Sequence, residues 1–321
     1  MWDSSLYFWE LIVKVSCHVC HSDRIVQFRE ENKYQILSCL DCHLLFVEND
    51  KNMLDIENDK KNKGVNAEFL DAELKKDYWV EANRQSLENN SRYLATHKYF
   101  IDRVLGLFPE KNSINLIDVG CGFGFFVLHA SRAGIDAVGI DTSENATNFG
   151  RTQLGLNNLF CSSLANYAST KKTYKVVTAF NLLEHVNVGI VKDMYRLVEP
   201  GGYVLIRIPN AAFHRAFHWA LCLFGLERKV SHSVLAWGPP HHLYGFSKKN
   251  LNILLSNEGF TQIEICQSPL SDTSNLLNYR ILVSLMSRFV YLMSGKKFAI
   301  SPTIYVLAKK PATLSEEELS V

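Results

Sequence analysis

The sequence predicts an α/β fold in which a Rossmann-like, doubly wound parallel sheet follows a small zinc ribbon and a helical segment. Three observations support this prediction. Short apolar strands alternate with helical stretches from residue 113 onward, a glycine-rich turn follows the first of these strands, and two Cys-x2-Cys pairs lie near the N-terminus. Hydrophobic residues make up 47% of the 321 residues, which is enough for a sizeable core.

The N-terminal cysteines form two matched pairs. Cys17 and Cys20 are followed, after eighteen residues, by Cys39 and Cys42, a spacing typical of zinc sites. Each pair sits on a tight turn, so four thiolates can complete the tetrahedral shell that Zn²⁺ prefers. The stretches 25–28 and 34–38 are predicted to form the strands of the ribbon. The nearby histidines are interpreted as turn residues: His18, His21 and His43.

The α/β pattern begins after a charged, asparagine-rich linker at 48–66 and a region of helical apolar spacing at 67–108. Strands are predicted at 114–119, 137–140, 159–161, 175–180 and 203–208, and helices at 125–132, 143–153 and 188–198. Pro200-Gly201-Gly202 is expected to stop the last of these helices. Strands and helices in this order form βαβ units and predict a parallel sheet covered on both faces.

These elements predict the domain organisation. We expect a zinc ribbon at 1–50, a linker and helical segment at 51–112, an α/β domain at 113–312 and a tail at 313–321. An insertion at 211–246 contains a stretch rich in Phe, Trp and Leu, which is expected to cap a pocket. A second apolar helix is predicted at 276–293. It is expected to be buried on the core or, alternatively, to meet a membrane surface, a lipid-linked molecule or a partner subunit.

Charge and cysteine content restrict the function. Lys and Arg number 34 and Asp and Glu 33, so the net charge of +1 predicts no broad nucleic-acid-binding face. The first residues lack the basic region of a signal peptide, and no apolar stretch reaches the ~18–20 residues that span a bilayer. We therefore expect a cytoplasmic protein whose eight cysteines are reduced and serve as ligands or core residues.

The glycine-rich turn has the sequence Gly120-Cys-Gly-Phe-Gly124 and follows the apolar strand at 114–119. Glycines at this position let the backbone approach a ligand and present amides at a helix N-terminus. A dinucleotide fingerprint would require a small residue at position 125, where this chain has Phe125. A nicotinamide or flavin site is therefore disfavoured.

Several segments together resemble the class I S-adenosylmethionine-dependent methyltransferases, including bacterial members with an N-terminal zinc ribbon. The resemblance covers about 113–312, and its blocks occur in the family's order. They are Asp118-Val-Gly-Cys-Gly-Phe-Gly124, Gly139-Ile-Asp141, Phe180-Asn-Leu-Leu-Glu-His-Val186, Leu197-Val-Glu-Pro-Gly-Gly202, Pro209-Asn210, Pro239-Pro-His-His-Leu-Tyr-Gly-Phe-Ser247 and Glu258-Gly-Phe260.

This resemblance implies a cofactor site for S-adenosylmethionine. The backbone of the glycine turn would approach the methionine part, with Asp118 near its amino group and Asn181 beside it. Asp141 would accept hydrogen bonds from both ribose hydroxyls, although a helix N-cap is its alternative role. The implied cofactor set is Asp118, Gly120, Cys121, Gly122, Gly124, Asp141, Thr142 and Asn181. One departure is Cys161-Ser-Ser163, where the family often has an acidic residue that contacts adenine.

Three histidines are expected near the acceptor: His185, His241 and His242. A hydroxyl acceptor must lose a proton, and histidine suits this role because its ordinary pKa of ~6.5 leaves a neutral imidazole at physiological pH. Alternatively, Glu184 and His185 stabilise their loop, or they hold a divalent cation.

The leading hypothesis is therefore a methyltransferase that acts on a small-molecule or saccharide-type acceptor. O-methylation is favoured, and C- or N-methylation stays open. A rival hypothesis is an RNA methyltransferase with the ribbon as reader, but residues 14–50 carry four basic and six acidic side chains. A non-catalytic, cofactor-binding partner subunit is a further alternative.

Overall fold

A computed structural model describes residues 15–31, 34–47, 94–109, 113–216, 242–269 and 301–312. The linker at 48–66, most of the cap insertion, the helix at 276–293 and the tail at 313–321 lie outside these residues, as does His241. Within the described part of the chain, no helix is both long and apolar enough to traverse a bilayer.

The larger sheet has seven strands and confirms the predicted α/β class. Its order is β10-β11-β8-β7-β4-β5-β6. These strands are β4 (Asn115–Val119), β5 (Asp136–Asp141), β6 (Leu159–Cys161), β7 (Tyr174–Phe180), β8 (Val198–Pro209), β10 (Thr261–Gln267) and β11 (Thr303–Lys309). Strands β4 to β8 pair in parallel, so their carboxyl ends share one edge.

The five strands predicted from the sequence pair in parallel, as expected, but the sheet extends beyond them on one side. Strand β11 is antiparallel both to β8 and to β10, so the sheet is mixed. These two strands escaped prediction because their pairing is set by contacts distant in sequence. Strand β8 also begins at Val198, earlier than expected, because the Pro200-Gly201-Gly202 segment lies within the strand as an irregularity in its pairing with β7.

Helices cover both faces of this sheet. They are α1 (Leu94–Leu107), α2 (Phe125–Arg132), α3 (Glu144–Gln153), α4 (Leu164–Ala168), α5 (Ile190–Leu197) and α6 (Lys248–Asn257), with a further helical stretch at 211–216. Alternate residues of β4 pack against opposite faces of the sheet. Leu116 packs in the cluster that contains residues of α1 and α2, and Ile117 packs in the cluster that contains residues of α5 and α6.

The N-terminal segment forms a separate four-stranded antiparallel sheet in the order β1-β2-β3-β9. Its strands are β1 (Ile25–Glu31), β2 (Tyr34–Cys39), β3 (Leu45–Val47) and β9 (Tyr244–Gly245). The first two confirm the predicted ribbon. The fourth is distant in sequence from the other three and lies within the segment predicted as a cap insertion, and the sequence pattern gave no sign of it.

Candidate functional site

The glycine turn joins β4 to α2 at the carboxyl edge of the parallel strands. Gly122 and Gly124 have φ of +53° and +82°, a left-handed backbone that residues with a side chain rarely adopt. A Cβ at Gly122 would meet nothing within 4 Å, whereas one at Gly124 would lie 2.6 Å from Leu159. Gly122 therefore faces open space in which a ligand can approach the backbone, and Gly124 allows α2 to pack closely.

Asp141 ends β5 and reaches the glycine turn. Its Oδ2 accepts a hydrogen bond of 2.8 Å from the backbone N–H of Gly122, and its Oδ1 accepts one of 2.9 Å from Ser143. The N-cap of α3 is Ser143 and not Asp141, so the alternative role considered from the sequence does not hold. A carboxylate offers about four acceptor positions. Asp141 can therefore organise the turn and still accept hydrogen bonds from a ligand.

Asp118 is a buried carboxyl group near the end of β4. The Thr178 hydroxyl donates a hydrogen bond of 2.6 Å to its Oδ1. Burial raises the pKa of Asp118 to about 7, the Thr178 hydrogen bond opposes that rise, and the charge of Asp141 adds to it. A carboxyl group with a pKa near 7 is partly protonated at neutral pH. A cation placed beside it would lower that pKa and favour the ionised form. Cys121 is partly buried, and desolvation raises the pKa of its thiol.

Asn181 follows β7 and has a φ of +52°. Its N–H donates to the carbonyl oxygen of Arg207 at 2.8 Å, and Arg207 Nη1 donates to Asn181 Oδ1 at 2.9 Å. Arg207 thus holds both the backbone and the side chain of Asn181. Sequence reasoning missed Arg207, although a charged residue in the otherwise apolar stretch 203–208 was a signal.

The predicted adenine region lies beside the end of β6. Thr142 and Cys161 are exposed there, which corrects the interpretation of Cys161 as a core residue. The Cys161 thiol lies 3.7 Å from the Thr142 carbonyl oxygen, and the Ser162 N–H donates to the Asp141 carbonyl oxygen at 2.9 Å. The two loops that follow β5 and β6 are therefore joined.

Glu184, His185 and His242 form a cluster after β7. Their possible ligand atoms all lie within 4.8 Å of one another. The two imidazole centroids are 4.7 Å apart, and His185 Nε2 is 3.9 Å from Glu184 Oε1. No other residue that the structure describes donates a hydrogen bond to either carboxyl oxygen of Glu184. Burial raises the pKa of Glu184 to about 8, an effect that the positive charge of Arg207 opposes.

The four N-terminal cysteines converge, as predicted. Cys17 Sγ lies 3.4 Å from Cys42 Sγ, Cys20 Sγ lies 3.5 Å from Cys39 Sγ, and all four sulfur atoms lie within 4.8 Å of one another. Zn–S bonds of ~2.3 Å in a tetrahedron place sulfur atoms about 3.8 Å apart, so these thiols fit a zinc ion.

The two cysteine turns share one backbone geometry. His21 and His43 follow the second cysteine of each pair, with φ of +57° and +63°. Their N–H groups donate to the carbonyl oxygens of Cys17 and Cys39 at 2.9 and 3.0 Å. The interpretation of these two histidines as turn residues is confirmed. His18 does more, because its Nδ1 is hydrogen-bonded to the Tyr244 hydroxyl at 2.9 Å.

A mixed sheet of this order, with a glycine turn and a carboxylate at the ends of adjacent parallel strands, defines a class I S-adenosylmethionine-dependent methyltransferase fold. A family model described as a methyltransferase domain matches residues 89–265, and the chain belongs to that family.

Curated relatives include ubiquinone biosynthesis O-methyltransferases. The protein from Aliivibrio fischeri (strain MJ11) is 29% identical over 119 residues, covering 35% of this chain and 49% of that protein. The protein from Nitrosomonas europaea is 27% identical over 168 residues, covering 46% and 66%. For the first of these, the match spans about half of the relative's length.

Among solved structures, a SAM-dependent methyltransferase from Archaeoglobus fulgidus is 18% identical with a TM-score of 0.43, covering 67% of this chain and 94% of its own. The plantazolicin methyltransferase BpumL in complex with SAH is 17% identical with a TM-score of 0.48, covering 80% and 98%.

Proposed function

We propose that the chain transfers a methyl group from S-adenosylmethionine to a hydroxyl oxygen of a small-molecule or saccharide-type acceptor. The observation that carries this proposal is the cluster of Glu184, His185 and His242, in which Glu184 and His185 lie three and four residues beyond Asn181 at the end of β7. Proton-accepting groups thus lie beside the predicted methionine end of the cofactor site. The naming of curated relatives as O-methyltransferases supports oxygen as the methylated atom.

The cofactor would lie along the carboxyl edge of β4, β5 and β7. Asp141 would accept hydrogen bonds from the ribose hydroxyls, and Asp118 would face the ammonium group of the methionine part. The remaining residues that would line the site are Gly120, Cys121, Gly122, Gly124, Thr142 and Asn181. When bound, S-adenosylmethionine supplies a methyl group already activated on a sulfonium, so the protein must only align the acceptor and remove a proton.

The acceptor proton would pass to an imidazole nitrogen of His242 or His185 as the new C–O bond forms. His241, which the sequence also predicts as a candidate, keeps that role as a prediction. The imidazole becomes positive on taking the proton. That charge stabilises the ionised form of the neighbouring Glu184, whose burial otherwise favours the neutral acid. A Glu184 that is already ionised would therefore strengthen the base, because no second proton then has to be released.

The same cluster supports a second candidate mechanism, in which Glu184, His185 and His242 hold a divalent cation. The specific observation is that Glu184 is buried, while neither of its oxygens accepts a hydrogen bond from another described residue. A cation there would lower the pKa of a coordinated acceptor hydroxyl, so that its proton could be released to solvent and no histidine would have to accept it.

The four ribbon cysteines would hold one structural zinc ion. Their full thiol set leaves no open position for a substrate, so the metal would stabilise the fold and take no part in the chemistry. A reducing compartment such as the cytoplasm suits these thiols.

The direct test incubates the protein with methyl-labelled S-adenosylmethionine and a metabolite extract, and identifies the labelled product. We expect a small molecule or saccharide with a methylated oxygen. His242→Ala or His185→Ala should lower turnover by about 10²–10⁴-fold while cofactor affinity, measured by calorimetry, stays nearly constant. Labelled RNA, or wild-type turnover in both variants, would contradict the proposal.

Metal dependence separates the two mechanisms. Turnover by the zinc-loaded chain should be unaffected by Mg²⁺ or Mn²⁺ if a histidine is the base. Turnover that disappears in a mild chelator and returns with Mg²⁺, at constant zinc content, would favour the cation instead.

A further inference from the structure

A short segment after His242 lies between the ribbon and the loop that carries Glu184. The Leu243 N–H donates to the Glu184 carbonyl oxygen at 2.7 Å, and the Leu243 carbonyl oxygen accepts from the Val47 N–H at 3.1 Å. One residue therefore joins the last strand of the ribbon to the Glu184–His185 turn. His242 immediately precedes this residue, so the position of its imidazole depends on both bonds.

Strand pairing continues this connection. In the antiparallel pair of β3 and β9, Leu45 is opposite Gly245 and Phe46 is opposite Tyr244. Strand β9 has only two residues. An isolated pair of such short strands is marginally stable in water, so β9 depends on the ribbon sheet for its conformation.

One side-chain pair reinforces the backbone contact. The Tyr244 hydroxyl is hydrogen-bonded to His18 Nδ1 at 2.9 Å, and the Tyr244 side chain is buried. His18 lies between Cys17 and Cys20, and its ring centroid is 4.9 Å from that of Phe46 on β3. The first cysteine turn is thus bonded directly to the residue two positions after His242.

Helix α6 fixes the ribbon from the other side. Asn250 Nδ2 donates to the Cys42 carbonyl oxygen at 3.4 Å, and Asn257 Nδ2 donates to the Val19 carbonyl oxygen at 3.1 Å. These asparagines are seven residues apart, about two turns, and so lie on one face of the helix. Each of them binds one of the two cysteine turns. The ribbon consequently has a single orientation on the α/β domain.

We propose that the metal-loaded ribbon is the positioning element of the acceptor site. Through β3 and the His18–Tyr244 pair it holds the segment 242–247, and thereby places His242 against Glu184 and His185. This inference rests on the proposed function for its catalytic consequence. His18 and Tyr244 are positioning residues, because they act through His242 and do not themselves contact the reacting atoms.

If the ribbon only stabilised the fold, its loss would lower turnover and cofactor affinity together, whereas a positioning role affects turnover alone. The residues proposed to bind the cofactor lie on or directly after β4, β5 and β7, and none of these strands pairs with a strand of the ribbon sheet. Loss of the ribbon's hold should therefore reduce turnover and leave cofactor affinity unchanged. Reactions of this kind are sensitive to placement, since a displacement of about 1 Å can cost ~10²-fold in rate.

The first experiment is hydrogen exchange of the full chain with zinc bound, after zinc removal and after Zn²⁺ is added back. Without zinc, the backbone amides of 242–247 should exchange at least about tenfold faster, and their rate should rise by a larger factor than that of the β4 amides. Restored zinc should restore protection. Unchanged protection of 242–247 in the zinc-free chain would overturn the proposal. This measurement needs no acceptor, so it decides the proposal even if the chain transfers no methyl group, an outcome that would overturn the proposed function alone.

The second experiment removes one hydroxyl group. Tyr244→Phe should lower kcat by about tenfold with unchanged cofactor affinity and zinc content. The matched control is Tyr167→Phe, which removes a buried hydroxyl bonded to Tyr174 at 2.6 Å at the opposite end of β7 and should keep wild-type kcat. Equal kcat in the two variants would contradict the positioning role.

Variants at His18 give the reciprocal test. His18→Leu should reproduce the loss of kcat, and His18→Gln should restore most of it, because an amide can again bond to the Tyr244 hydroxyl. Combined with Tyr244→Phe, His18→Leu should cause no further loss, since both remove one shared bond. Fully additive losses would overturn the proposal.

Discussion

At the scale of single residues, Asp141 combines two tasks in one carboxylate. Its Oδ2 accepts a hydrogen bond of 2.8 Å from the Gly122 N–H, and we propose that the same carboxylate accepts hydrogen bonds from the ribose hydroxyls of the cofactor. Asp141→Ala should therefore weaken cofactor binding by at least about tenfold, because hydrogen bonds to a charged group contribute roughly 1.5–3 kcal/mol each. Calorimetry measures the change. Asp136→Ala, at the exposed start of the same strand, is the matched control and should bind the cofactor as the wild type does. Unchanged affinity in Asp141→Ala would refute the ribose assignment.

Asp118 should make cofactor affinity dependent on pH. Its pKa of about 7 means that the free protein carries a largely ionised carboxyl at pH 7.5 and a largely protonated one at pH 6. Only the ionised form attracts the cofactor's ammonium group strongly, so affinity should fall by up to about tenfold over this range. Asp118→Asn should bind weakly at both pH values. This role would be contradicted if the cofactor affinity of the wild type, like that of Asp118→Asn, did not change between pH 6 and pH 7.5.

The same carboxyl group affects stability with a defined sign. Its pKa is higher in the folded state, at about 7, than the ~3.9 of an unfolded aspartate. Between these values the folded state binds more protons, so the contribution of Asp118 to the free energy of unfolding decreases as pH rises from about 4 to 7. Asp118→Asn should remove this part of the pH dependence in urea unfolding.

At the scale of elements, the sequence was informative where signals are local. Helix α2 and strand β6 were predicted with their observed bounds, because a glycine turn precedes the helix and turn residues flank the strand. Strands β3, β9, β10 and β11 were not predicted. The first two are short, and all four are defined by pairing with residues distant in the chain, which composition and periodicity do not reveal.

The candidate site shows the same division. Asp141 and the glycine turn follow strand ends and could be found from the sequence. Arg207, Thr178 and Tyr244 act through contacts that only the folded chain creates. Of the predicted histidines, His185 and His242 are brought together, which neither position in the sequence could establish alone.

The end of β7 provides a prediction about backbone strain. Alanine in the left-handed conformation of Asn181 costs ~1–2 kcal/mol, whereas glycine adopts it freely and loses about 0.5–1 kcal/mol through its more flexible unfolded chain. Asn181→Gly should therefore be more stable than Asn181→Ala by up to about 1.5 kcal/mol in urea unfolding. Both variants should lose cofactor affinity equally, because both lack the carboxamide. A more stable alanine variant would contradict this account.

At the scale of the whole molecule, the ribbon and the α/β domain share one hydrophobic core. Cys17, Val19 and Phe46 of the ribbon pack in the same cluster as residues of α5, α6 and the sheet. The ribbon was expected as a unit bounded at residue 50, but its sheet is completed by residues 244–245. The segment that carries the four clustered cysteines is thus built into the structure around the candidate acceptor site.

Zinc removal should consequently lower the stability of the whole molecule. Metal analysis of the purified chain should find about one zinc, and Cys17→Ser combined with Cys39→Ser, one change in each cysteine turn, should abolish it. Cys266→Ser, a partly buried cysteine on β10, is the matched control and should retain the metal.

The double variant should unfold at a lower temperature, because the shared cluster loses the support of the ribbon. It should still bind S-adenosylmethionine with near wild-type affinity, because the residues proposed to bind the cofactor all lie outside 17–42. Full zinc content in the double variant would place the metal elsewhere. Loss of cofactor binding in a variant that remains folded would show that the ribbon supports the cofactor site as well as the acceptor side.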